Sequence, residues 1–135
     1  MMKQFNRLDL EVLPDRLAIH QFRPDVDAMV ILRLLGDRSF YALVRTKDEL
    51  SLVCQEGVTF EDGKSDSGWR ALKVLGPLDF SLTGILNAIA QPLAEASISI
   101  FALSTYDTDY VLVKEESLLH AIMVLKRFHN IQSYL

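Results

Sequence analysis

The chain has 135 residues, 50% of them hydrophobic and 24% charged, with a formal net charge of −4. A mean hydropathy of +0.17 and a pI near 5.3 describe a folded chain of one domain, or of two small units sharing a core, and not a disordered one. The acidic balance and the lack of a Lys/Arg cluster argue against a surface that neutralises phosphates, so nucleic acid is not an expected partner.

No apolar run approaches the roughly 20 residues that a bilayer demands, and the opening "MMKQFNRLDLE" has no signal-type apolar core. No membrane association is expected. The one cysteine, Cys54, can form no disulfide within the chain, which fits a reducing compartment. The expected location is cytoplasmic.

Taken in chain order, "RLDLEVL" alternates, with Leu8, Leu10 and Val12 on one side. Pro14-Asp15 is a turn signal. "RLAIHQF" (Arg16–Phe22) alternates again, so two strands joined by a tight turn are expected. "PDVDAMVILRLLGD" predicts a short helix with Asp25 as N-cap, Gly36 as stop, and Val26, Met29, Val30 and Leu34 at helical spacing. "SFYALVRT" and "LSLVCQE" follow as strands split by the charged turn "KDE". The polar, glycine-rich Gly57–Gly68 stretch is the best linker candidate.

In the second half, "WRALKVL" (Trp69–Leu75) predicts a strand and "SLTGILNAIAQPLAEA" (Ser81–Ala96) a helix. Leu82, Ile85, Leu86, Ile89 and Leu93 form its apolar stripe. Pro92 should kink it or cost it a hydrogen bond. "SISIFALS" and "YVLVKE" predict strands around the turn "TYDTD". Ser117–Phe128 predicts a last helix with Leu118, Ala121, Ile122 and Leu125 inward, and "HNIQSYL" a short edge strand.

The halves repeat. "SFYALVRTKDELSLVCQE" laid over "SIFALSTYDTDYVLVKEE" without a gap gives the identities Ser39/Ser99, Ala42/Ala102, Leu43/Leu103, Leu52/Leu112, Val53/Val113 and Glu56/Glu116. Self-similarity at a fixed offset marks a duplicated unit. The expected fold is α+β: two ferredoxin-like βαββ(αβ) units with antiparallel sheets and helices on one face. The units are divided as residues 1–62 and 63–135. Apolar residues on both sides of the strands imply that something also covers the second sheet face.

The chemistry is sparse. "GPLDFSLTGI" (Gly76–Ile85) puts two glycines, a proline, an aspartate and two hydroxyls at a helix start. Asp79 or Ser81 can cap the helix, and its free N–H groups can bind a carboxylate or simply turn a corner. In "STYDTDY", Asp107 and Asp109 with Thr105 and Thr108 could hold a cationic group or form a solvated turn. His20, His120 and His129 are scattered with no metal-ligand spacing. There is no P-loop, no G-x-G-x-x-G and no nucleophile elbow. No cofactor and no enzymatic activity are expected.

"GPLDFSLTGIL" followed by "PLAEASISIFALSTYDTDYVLVKEE" resembles the C-terminal part of two-unit ACT-domain proteins, related to the ACT modules of cytosolic arginine sensors. The resemblance covers roughly Trp69 to Leu125 and is looser over the first half. It implies βαββαβ modules that regulate and do not catalyse, that dimerise, and that bind an amino acid where a loop and helix start face a strand of a neighbouring module.

Carried onto this sequence, the loop is Asp79, Phe80, Ser81, Leu82, Thr83 and Gly84. The facing strand and hairpin supply Ile100, Ala102, Ser104, Thr105, Tyr106 and Asp109. Loop N–H groups would take the α-carboxylate, while strand carbonyls and an aspartate would take the ammonium or side chain. The resemblance implies a homodimer, an unknown regulated protein, and a small amino acid as ligand, arginine being the candidate. The alternative is a dimerisation module with no ligand. Ser97 stands where the family usually has glycine, a position that suits positive φ.

Overall fold

The computed structural model describes residues 7–76 and 83–133. Its elements are β1 (Asp9–Phe22), α1 (Ala28–Leu35), β2 (Tyr41–Arg45), β3 (Leu50–Gln55), β4 (Lys64–Val74), α2 (Ile85–Glu95), β5 (Phe101–Ser104), β6 (Asp109–Lys114), a 3₁₀ turn (Glu115–Ser117), α3 (Leu118–Leu125) and β7 (Asn130–Gln132). The fold is α+β with mainly antiparallel pairing, of the ferredoxin-like kind expected.

Contacts gather the chain into two compact units whose ranges differ from a division at residue 62. One contains Met1–Pro14 with Arg70–Leu135, the other Asp15–Trp69. The cause is β1. It was expected as two strands around a Pro14-Asp15 turn, yet it runs as one strand. Pro14 falls between the stretch paired with β7 (Asp9–Glu11) and the stretch paired with β3 (Leu17–Phe22), so neither ladder asks for its missing N–H.

In the first unit the strand order is β7-β1-β4-β6-β5. The tail strand β7 pairs with β1 in parallel, Asp9 opposite Asn130 and Glu11 opposite Gln132. The Leu75 N–H donates to the Asp9 carbonyl at 2.8 Å, which ties β4 to β1. Leu10, Val12, Leu72, Val74, Val111 and Val113 form the sheet side of the core, and α2 and α3 cover it with Ile89, Leu93, Leu118, Ala121 and Leu125. The expected inner face of α3 is therefore the one buried. In α2, Ile85, Ile89 and Leu93 are buried but Leu86 is exposed.

Pro92 does not break α2. Its missing N–H leaves the Ala88 carbonyl without its intrahelical donor. The buried His129 supplies one through Nε2 at 2.9 Å, while its Nδ1 accepts from the Leu8 N–H at 3.1 Å. These two bonds assign the neutral Nε2–H tautomer. Ser97 has φ 60, the only positive φ of a non-glycine among the described residues.

In the second unit the order is β2-β3-β1-β4. Phe22, Leu50, Leu52 and Cys54 pack with Ile31 and Leu35 of α1. Here the expected helix face is corrected. Met29, Val30 and Leu34 are exposed, and Ile31 and Leu35 point inward. "MVILRLL" is apolar on nearly every side, so periodicity alone cannot choose the face. The cap is Asp27, not Asp25: its Oδ1 accepts from the Met29 N–H at 2.9 Å.

The linker candidate Gly57–Gly68 is corrected too, since β4 already begins at Lys64. At Gly63 (φ +94) a Cβ would sit 2.5 Å from the Gln21 carbonyl, so the backbones approach closer than a side chain allows. The Gly68 N–H donates to Glu56 at 2.6 Å and His20 Nδ1 lies 2.7 Å from Ser65 Oγ, which holds this polar strand in place.

On the sheet faces away from the helices, Ala71 and Leu112 in the first unit and Leu17 and Val53 in the second are buried as well. The two-sided apolar strands thus follow from burial on both faces.

Candidate functional site

The β5–β6 hairpin belongs to the first unit. Its register sets Ala102 opposite Val111 and Ser104 opposite Asp109. Val111 is a core residue, so Ala102, Ser104 and Asp109 project from the helix-covered side of the sheet. Ile100 packs partly buried against the same core. Ser104 Oγ donates to Asp109 Oδ1 at 2.6 Å. The structure thus brings two of the expected site residues together as a cross-strand pair, with one carboxylate oxygen already engaged.

At the tip, the Thr105 N–H donates to the Thr108 carbonyl at 2.8 Å. The Thr108 N–H donates to Thr105 Oγ1 at 3.3 Å. Tyr106 is 81% exposed. Thr105 and Asp107 are exposed, but Thr108 is only 6% exposed, and its Oγ1 donates to the Val74 carbonyl at the end of β4. That anchor was not legible beforehand, because Thr105 and Thr108 look alike in a polar turn.

Of the expected loop, Asp79, Phe80, Ser81 and Leu82 lie outside the described residues, as does the cap expected from Asp79 or Ser81. Thr83 and Gly84 are exposed. Gly84 holds the N-cap position of α2 with φ 76 and no side-chain cap, and its carbonyl accepts from the Ala88 N–H at 2.9 Å.

The second unit builds the same hairpin. The Thr46 N–H donates to the Glu49 carbonyl at 2.8 Å, and the Glu49 N–H to Thr46 Oγ1 at 3.2 Å. Arg45 pairs with Leu50 there as Ser104 pairs with Asp109 in the first unit. This equivalence corrects the gapless alignment by one residue, a slip that would send every side chain to the other face. Arg45 takes the place of Ser104. Its guanidinium donates to the carbonyls of Pro24 and Val26 in the loop before α1.

The buried groups His20, Cys54 and Arg70 are structural. His20 is buried between Phe22 and Phe60, and burial lowers its pKa. Burial pushes the Cys54 thiol up, away from reactivity. Arg70 is buried, with Nη1 3.3 Å from Glu115 and Nη2 donating to the Leu13 carbonyl at 3.1 Å. Among the described residues no group of three His, Cys, Asp or Glu could hold a metal ion, and no helix is long and apolar enough to cross a membrane.

The ACT domain matches residues 64–127. The cytosolic arginine sensor for mTORC1 subunit 1 of Homo sapiens is 44% identical over 66 residues, 47% of this chain and 20% of the relative. The matched stretch thus spans about a fifth of that relative's length. Protein Atu0741 from Agrobacterium tumefaciens is 30% identical with a TM-score of 0.83, covering 96% of this chain and 95% of that one. The aspartate kinase of Clostridium acetobutylicum, at 15% identity, shares the fold with a TM-score of 0.70 over 93% of this chain and 36% of its own.

Proposed function

We propose that the chain, whose residues 64–127 match the ACT domain, is a regulatory protein without catalytic activity that binds a small amino acid. The site would lie where the loop Asp79–Gly84 and the start of α2 meet Ile100, Ala102, Ser104, Thr105, Tyr106 and Asp109, completed by a neighbouring module in a cytoplasmic homodimer. The carrying observation is the Ser104–Asp109 pair on the hairpin of the first unit. It lies inside the matched ACT stretch and leaves Asp109 Oδ2 to accept from a cationic ligand group. The α-carboxylate would go to the N–H groups of the first turn of α2, where no side chain caps the helix.

L-Arginine is the first ligand to test, since the relative that is 44% identical is named as an arginine sensor. The second unit is a poorer host, because Arg45 already serves the carbonyls before α1. A thermal-shift screen of the twenty amino acids tests the reading: one of them should raise the melting temperature at millimolar concentration. Uniform silence from folded protein favours the second reading, a dimerisation module without ligand. Light scattering should give a dimer, and a monomer would contradict the homodimer.

A further inference from the structure

We propose that Thr108 is a positioning residue for this site, an inference that rests on the reading just given: its buried hydroxyl holds the β5–β6 turn on the end of β4 and thereby sets where Ser104 and Asp109 present themselves. Turn residues in water gain little from a side chain turned inward. Thr108 nonetheless buries its hydroxyl beside exposed neighbours and spends it on the carbonyl of Val74, itself a core residue. The hydroxyl is not needed to make the turn. In the second unit the same turn closes with Glu49 at the corresponding position, through the same bonds to Thr46. The Thr108 anchor is therefore an addition to turn geometry.

What the anchor adds is a fixed height for the hairpin tip. Thr108 adjoins Asp109, whose carboxylate is aligned by Ser104 across the ladder at 2.6 Å. A chain of hydrogen bonds runs from the Val74 carbonyl through Thr108 and its backbone to Thr105, and the neighbouring rung joins Ser104 to Asp109. A carboxylate that must meet a ligand cation gains from being held in place before the ligand arrives.

Thr108→Val keeps the shape and removes the hydroxyl, whereas Thr108→Ser keeps the hydroxyl. Each variant is compared with the parent in L-arginine titration calorimetry and in amide hydrogen exchange of residues Thr105–Asp109. Thr108→Val should bind L-arginine about tenfold more weakly, the order expected for one lost buried hydrogen bond, and exchange these amides about tenfold faster while α3 is unchanged. Thr108→Ser should stay within about twofold of the parent. Parent-like binding and exchange in Thr108→Val, or equal losses in both variants, overturns the proposal. If the parent itself takes no L-arginine, that ligand assignment fails on its own. The exchange comparison then decides the anchor: faster exchange confined to the turn in Thr108→Val supports it, and unchanged exchange refutes it.

Discussion

Replacing His129 by leucine should cost far more than its place near the chain's end suggests. The imidazole is 3% exposed and serves two backbone groups at once, the Ala88 carbonyl at 2.9 Å and the Leu8 N–H at 3.1 Å. His129→Leu keeps a similar volume but strands both. A buried polar group left without its partner costs about 1–3 kcal/mol, so the expected loss for the two is about 2–6 kcal/mol. Half of that cost arises because Pro92 cannot donate to Ala88. In a Pro92→Ala background residue 92 regains its N–H and satisfies Ala88 within the helix, so His129→Leu should cost about 1–3 kcal/mol less than in the parent. Urea unfolding of the four proteins, with equal m-values, measures the coupling. A loss under about 1 kcal/mol for His129→Leu, or the same loss in both backgrounds, refutes the reasoning.

His20 gives a pH signature. Burial lowers its folded-state pKa, so above about pH 6.5 both states are neutral and it contributes no slope. As pH falls below 6.5 the unfolded chain takes the proton first. Stability should then drop by at most about 1.4 kcal/mol per pH unit, until the folded pKa is passed. The slope should vanish in His20→Leu, measured as the difference in unfolding free energy between pH 7 and 5.5. Ser97→Gly relieves φ 60 and should raise stability by up to about 1 kcal/mol, partly offset by the freer unfolded chain. A lower melting temperature for that variant would contradict the strain assignment.

Apart from β1, the element order could be read from the sequence, as could both hairpins and the inner face of α3, because alternation and helical spacing were clean there. The errors fall where a local signal had more than one physical outcome. Pro14-Asp15 looks like a turn, but a proline is harmless between two ladders. The face of α1 was illegible because apolar residues surround the helix. The repeat was found through identities such as Leu52/Leu112, yet the Thr46 and Thr105 turns set the equivalence one residue away. At the candidate site, residue types pointed to Asp109 and the family resemblance to Ser104, and the register joins them. The roles of Thr108 and His129 depend on carbonyls far away in the chain, at Val74 and Ala88. No spacing rule connects those positions.

The central claim is that this hairpin presents Asp109 to an amino acid. Calorimetric titration of L-arginine, and then of the other nineteen amino acids, into the parent and into Asp109→Ala tests it most directly. The account predicts saturable binding of one amino acid to the parent, weakened at least about tenfold in Asp109→Ala, as the loss of a charge-assisted hydrogen bond implies. No heat from any amino acid with folded protein, or undiminished affinity in Asp109→Ala, would contradict it.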